Sequence, residues 1–129
     1  MSASLLAPQF KSRHFKQTDP FDRHWQVEFR WLQTGISIRH ADTVDVKFGL
    51  HGDQGVEEKV IALPHPLLLE LARITKHELN DAWCMRLAAS HLRRMIQSWE
   101  DMDKALVTLA LPELQDAAQR VTRLEAQLS

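Results

Sequence analysis

Hydrophobic positions change period once along the chain, at Pro64-His65-Pro66. Before that point apolar and polar residues alternate, as a half-buried strand requires. After it apolar residues recur every three or four positions, as an amphipathic helix requires. Strands in one block and helices in another, with no strand–helix alternation, predict an α+β domain. The expected architecture is an antiparallel meander of three or four strands followed by two or three helices packed on one face.

The first clear strand begins near His24. Trp25, Val27, Phe29 and Trp31 alternate with Gln26, Glu28 and Arg30, which gives one large apolar face and one polar face. Gln33-Thr34-Gly35 reads as a turn into a second strand carrying Ile36 and Ile38, and His40-Ala41-Asp42 as a bulge or bend after it. Val44, Val46, Phe48 and Leu50 define a third strand. His51-Gly52-Asp53-Gln54-Gly55 is a turn in which glycine can take positive φ, and Val56 to Leu63 is the returning strand. Residues 1–22 show neither period and are bounded by Asp19-Pro20, so they read as an arm or tail. A single α+β domain is expected over 23–129, with strands at about 24–63 and helices at about 66–128.

Pro66 suits the first turn of a helix, where its missing N–H would have no partner. Leu67, Leu68, Leu69, Leu71, Ala72 and Ile74 then wrap most of the circumference, which predicts a short buried helix. Thr75 with Glu78, or Asn80-Asp81, caps a longer helix expected to run to about Leu109. Its main stripe is Ala82, Met85, Ala89, Leu92, Ile96, Trp99 and Leu106, and Cys84, Ala88, His91 and Met95 form a second packing face. Pro112 restarts a helix in which Leu114, Ala117, Val121, Leu124 and Leu128 follow a heptad seam. A helix this short needs a surface to dock on. Its own domain or a second chain could supply that surface, and the reading carried forward is a homodimer with Leu114, Val121, Leu124 and Leu128 at the contact.

Composition removes several function classes. Sixteen Lys and Arg against seventeen Asp and Glu give a net charge of −1, so no global field draws the chain to nucleic acid or an anionic membrane. The one local basic stretch, Lys11-Ser12-Arg13-His14-Phe15-Lys16, could touch phosphates and stack a base, which leaves nucleic-acid binding as a weak alternative. The single cysteine, Cys84, cannot form an intramolecular disulfide. The start of the chain does not read as a secretory signal, and no apolar run reaches the ~18 residues of a membrane span, so a cytoplasmic protein is expected.

Candidate chemistry centres on two His-x-Asp pairs, His40-Ala41-Asp42 and His51-Gly52-Asp53, with Asp45 nearby. Imidazole and carboxylate suit a divalent metal or acid–base work. His40, Asp42 and Asp45 are therefore the catalytic candidates, and His40, Asp42, His51 and Asp53 the metal candidates. A strand over Thr43 to Leu50 holds the two pairs roughly 30 Å apart, so turn chemistry is the simpler account of both. Cys84 and His91 share a helix face about 10.5 Å apart along the axis, too far for a nucleophile–base pair. Gly-rich phosphate loops and Gly-x-Ser-x-Gly elbows are missing, the four tryptophans read mainly as core, and Arg86, Arg93 and Arg94 read as a solvated basic face. No cofactor is implied. The leading expectation is a non-catalytic interaction or regulatory module working through self- or partner association, with a small metal-dependent or acid–base enzyme as the alternative.

Overall fold

The computed structural model describes residues 14–35 and 42–128. Five strands form one sheet in the order β1-β2-β3-β4-β5: β1 (His14–Thr18), β2 (His24–Gly35), β3 (Thr43–Gly52), β4 (Gly55–Pro64) and β5 (Leu106–Thr108). The helices are α1 (His65–Thr75), α2 (Asp81–Ser98) and α3 (Leu111–Leu128). This is the α+β arrangement that the change of period predicts. The first four strands are antiparallel neighbours, and β5 lies parallel to β4 after a crossover through α1 and α2.

The alternating pattern of β3 and β4 gives an unbroken ladder from Thr43↔Pro64 to Gly52↔Gly55, closed by Asp53-Gln54. Gly55 has φ 131°, a conformation that a Cβ would strain. Gly52 is needed for a different reason: a Cβ there would sit 2.7 Å from the Trp25 ring that crosses it. The inward row Val46, Phe48 and Leu50 is fully buried against Leu87, Leu92 and Ile96 of α2. Both faces of α2 are buried, and α3 packs against it with Leu114, Ala117 and Val121. The second stripe of Cys84, Ala88, His91 and Met95 is thus a packing face, as its spacing suggests.

Several expectations need correction. Residues 14 to 18 are not part of a tail but an edge strand in register with β2. Phe15 alone is apolar there, too little to show a period, and the strand is held by its ladder and by Arg93 of α2, whose guanidinium lies 4.3 Å from the Phe15 ring centroid. Gln33, Thr34 and Gly35 do not turn; they extend β2 opposite Asp45, Val44 and Thr43. Ile36, Ile38 and the bend at His40-Ala41 lie outside the described residues. A bulge at Arg30 shifts the register between Phe29 and Trp31, so Leu32 takes the inward position opposite Val46 and Trp31 turns to the other face.

The long helix ends at Ser98, because Trp99 adopts the left-handed conformation at φ 63°. What reads as its last turns is a loop and β5, and Leu106 is exposed rather than part of the stripe. Helix α1 is only half buried: Leu68 and Leu71 face the core, where β4 and α3 pack against it, while Leu69 and Ile74 are exposed. Among the described residues no helix is long and apolar enough to cross a membrane.

The loop before β5 is pinned by a buried lysine. Lys59 reaches inward from β4 and donates from Nζ to the carbonyls of Met102, at 2.8 Å, and Lys104, at 2.7 Å. Burial lowers its pKa, opposed by the charges of Glu57 and Asp103. Replacing Lys59 with Met takes this donor from two carbonyls, that of Met102 in buried surroundings. The Lys59→Met variant is expected to lose about 1–3 kcal/mol of stability in urea titration. Amide exchange should accelerate first over residues 102–108; an unchanged midpoint would show the loop to be held by its apolar contacts alone.

Candidate functional site

Of the predicted site residues that the structure describes, Asp42 and Asp45 lie at one end of β3 and His51 and Asp53 at the other. His40 lies outside the described residues. Asp42 is exposed, and its backbone carbonyl accepts from the His65 N–H at 2.9 Å; Asp45 accepts from Thr43 Oγ1 at 2.9 Å. His51 stands at the far end of β3 beside the exposed turn residue Asp53, with its ring engaged by Glu28. Among the described residues no group of three His, Cys, Asp or Glu side chains is placed to hold a metal. Burial, with the charge of Asp81, raises the Cys84 thiol to about 11, so it is protonated at neutral pH. His91 faces Glu113 of α3 instead, Nε2 to Oε2 3.8 Å.

The heptad seam is largely consumed within the chain. Leu114 and Val121 are buried in the core beneath α3. Leu124 is exposed, and Leu128 closes the helix with its side chain outside the described residues. Arg120, paired with Asp116, donates to the Ser90 carbonyl at 3.2 Å and further ties α3 to α2. Arg86 pairs with Glu125 at 3.2 Å, so the basic face read on α2 is partly engaged in holding α3.

What remains available is the face of the sheet turned away from the helices. Strand pairing lays its side chains in rows: His14, Glu28, Gly49 and Glu58 in one, and Trp31, Lys47, Val60 and Leu106 in the next. Glu28 is the hub of the first row. It accepts from His51 at 2.8 Å and forms ion pairs with Arg30 at 3.0 Å and His14 at 3.7 Å. Its pKa falls chiefly through the His51 hydrogen bond, which outweighs the opposing burial, and the charges of Arg30, His51 and His14 add to the effect. Arg30 lies across Gly49, where a Cβ would come within 2.6 Å of the guanidinium, and reaches Glu58 at 3.7 Å. Lys47 completes the chain at 3.0 Å from Glu58 and sits 5.5 Å from the Trp31 ring centroid. Two imidazoles and a carboxylate are metal-ligand types, but the guanidinium already neutralises that carboxylate and repels a cation.

The second row gives the face its apolar content. Trp31 is 36% exposed and Leu106 57%, with half-buried Val60 between their strands. Sequence alternation assigns Trp31 to the core because it cannot register a one-residue bulge; the run Arg30-Trp31-Leu32 contains no glycine to mark one. At the neighbouring end of the sheet Asp19 organises the β1–β2 connection. Its buried carboxylate accepts from the Phe21 and Arg23 N–H groups, from Arg23 Nε at 2.6 Å and from Trp25 Nε1 at 3.0 Å. Burial pushes the Asp19 carboxyl up, but these donors together hold it at about 2. Arg23 rests 4.5 Å from the Trp99 ring centroid, beside a cleft of about 310 Å³ that includes Trp25 and the 52–57 hairpin. An aspartate two residues before a turn position is a signal for such a self-bonded loop.

Comparison with protein-family models, curated proteins and solved structures finds no match.

Two acid-sensitive groups give opposite ends of a pH profile. Burial lowers the pKa of His91, opposed by Glu113, while Arg94 and Arg120 lower it further and Asp101 raises it. Below the ordinary histidine pKa of about 6.5 the unfolded chain therefore binds more protons, and stability falls as pH drops from there toward the folded value. Asp19, held at about 2 against 3.8 unperturbed, contributes stability that is lost only as pH falls from about 4 through 2. Urea midpoints from pH 7.5 to 5 should decline in the wild type and flatten in His91→Met. An identical slope in the variant would assign that decline to other groups.

Proposed function

We propose that the protein is a non-catalytic interaction module that associates with a second copy of itself through the open face of its sheet. The observation that carries this reading is the outward position of Trp31. The bulge at Arg30 places an indole on a solvent-facing sheet, in one row with Lys47, Val60 and the exposed Leu106. Large aromatics anchored on a flat face are the residues that interfaces bury at their centre. The charges beside the row support a twofold arrangement. Arg30 and Lys47 alternate with Glu28 and Glu58, so the patch has no dominant sign and can meet its own copy without repulsion.

This reading keeps self-association and moves its surface. Leu114 and Val121 of the α3 seam are spent on the domain's own core, whereas the sheet face has no cover among the described residues. A cytoplasmic setting fits a single buried thiol with no disulfide partner.

The test uses two exposed positions whose replacement spares the core. Wild-type chain at tens of micromolar should sediment as a dimer, and Trp31→Lys with Leu106→Lys as a monomer with native far-ultraviolet dichroism. Loss of the Trp31–Lys47 contact costs the fold about 0.5–1 kcal/mol. A wild type that sediments as a monomer, or a double variant that remains a dimer, would overturn the proposal.

A further inference from the structure

Among the described residues the sheet ends in β5 on one side and β1 on the other. The β5 edge is three residues long and leads within three positions into α3. The β1 edge is different. Its ladder with β2 runs without a bulge from His14↔Glu28 to Thr18↔His24, and no proline interrupts it. Among the described residues β1 has a neighbour on one side alone. A regular strand edge presents unpaired N–H and C=O groups that another extended segment can complete.

Two cations flank this edge, one on each face. Lys16 is exposed on the open face and makes no ion pair among the described residues. Arg93 comes from α2 on the helical face. It is half-buried, and among the described residues its guanidinium has neutral partners: the Phe15 ring at 4.3 Å, Gln17 Oε1 at 3.2 Å and the Lys16 carbonyl at a long 3.5 Å. A guanidinium so placed keeps the capacity to make a stronger, charge-assisted bond to a carboxylate. The strand itself, His14-Phe15-Lys16-Gln17-Thr18, contains no acid.

These charges also select the occupant. A second copy pairing antiparallel about the middle of β1 would set Lys16 opposite Lys16, and like charges directly opposite are destabilising. A segment carrying carboxylates meets no such penalty. Consecutive side chains of an extended strand point to opposite faces, so two adjacent acidic residues straddle the edge.

We propose that the free edge of β1 receives an extended acidic segment of another protein, with two consecutive carboxylates reaching Lys16 on one face and Arg93 on the other. This site lies at the β1 edge, away from the Trp31 row though Lys16 shares the open face with it, and does not require association through that row.

The probe is an acetylated and amidated octapeptide, Thr-Val-Thr-Glu-Glu-Thr-Val-Thr, titrated into the full ¹⁵N-labelled chain, with a Gln-Gln version as control. The Glu-Glu peptide should shift the amide resonances of residues 14–18, and the control should not. Lys16→Glu and Arg93→Gln should each weaken binding about tenfold. Lys16 is exposed, so its variant folds whether or not Arg93→Gln disturbs the packing on Phe15. The same titration on the Trp31→Lys, Leu106→Lys variant should give unchanged β1 shifts, which separates this site from the face-to-face contact. Absence of shifts in β1, shifts confined to the Trp31 row, or full affinity in Lys16→Glu would overturn the proposal.

Discussion

The rest of the structure depends on the burial of α2 from two sides at once. Its residues meet the β3 row of Val46, Phe48 and Leu50 below and the α3 stripe of Leu114, Ala117 and Val121 above. A helix buried on two faces forces the order of layers: sheet, α2, α3. It commits all three helices to one side of the sheet and leaves the other side to be stabilised by polar means. The ionic chain through His51, Glu28, Arg30, Glu58 and Lys47 meets that need. Individual exposed pairs contribute little, but a connected set on adjacent strands fixes the geometry of its members.

Legibility followed the regularity of the backbone. Alternation reports burial along β3, where Val44, Val46, Phe48 and Leu50 are all buried, and helical spacing did the same for Met85, Leu92 and Ile96 and for the second face of α2. It failed where geometry intervenes that composition does not mark. One extra residue at Arg30 reverses the facing of Trp31, and three residues of β5 are too few to break an apparent helical period. The weakest signal was β1, where a lone Phe15 carries the inward face and pairing supplies the rest. Linear spacing carries least about the polar face: His51 and Asp45 both lie in β3, and Glu28, Arg30 and Lys16 become notable only through cross-strand neighbours that it does not reveal.

Glycine placement follows the same logic. Gly49 reads in sequence as a strand residue and Gly52 as a turn residue, yet both act by absence of a side chain, one beneath the Arg30 guanidinium and the other beneath the Trp25 ring. Each lets a large side chain lie flat across the sheet, so the polar face and the Asp19 end share a construction principle.

The pairing of β5 with β4 has an entropic consequence. Val60 and Leu106 are partners although 46 positions separate them, and the intervening chain holds α1 and α2. Closing a loop of that length costs on the order of 3 kcal/mol before any contact is made. Three ladder positions repay little of this by themselves. The Lys59 ammonium, gripping two carbonyls just ahead of the strand, acts as a non-covalent clasp on the loop, playing the part a disulfide plays in chains with cysteines to spare.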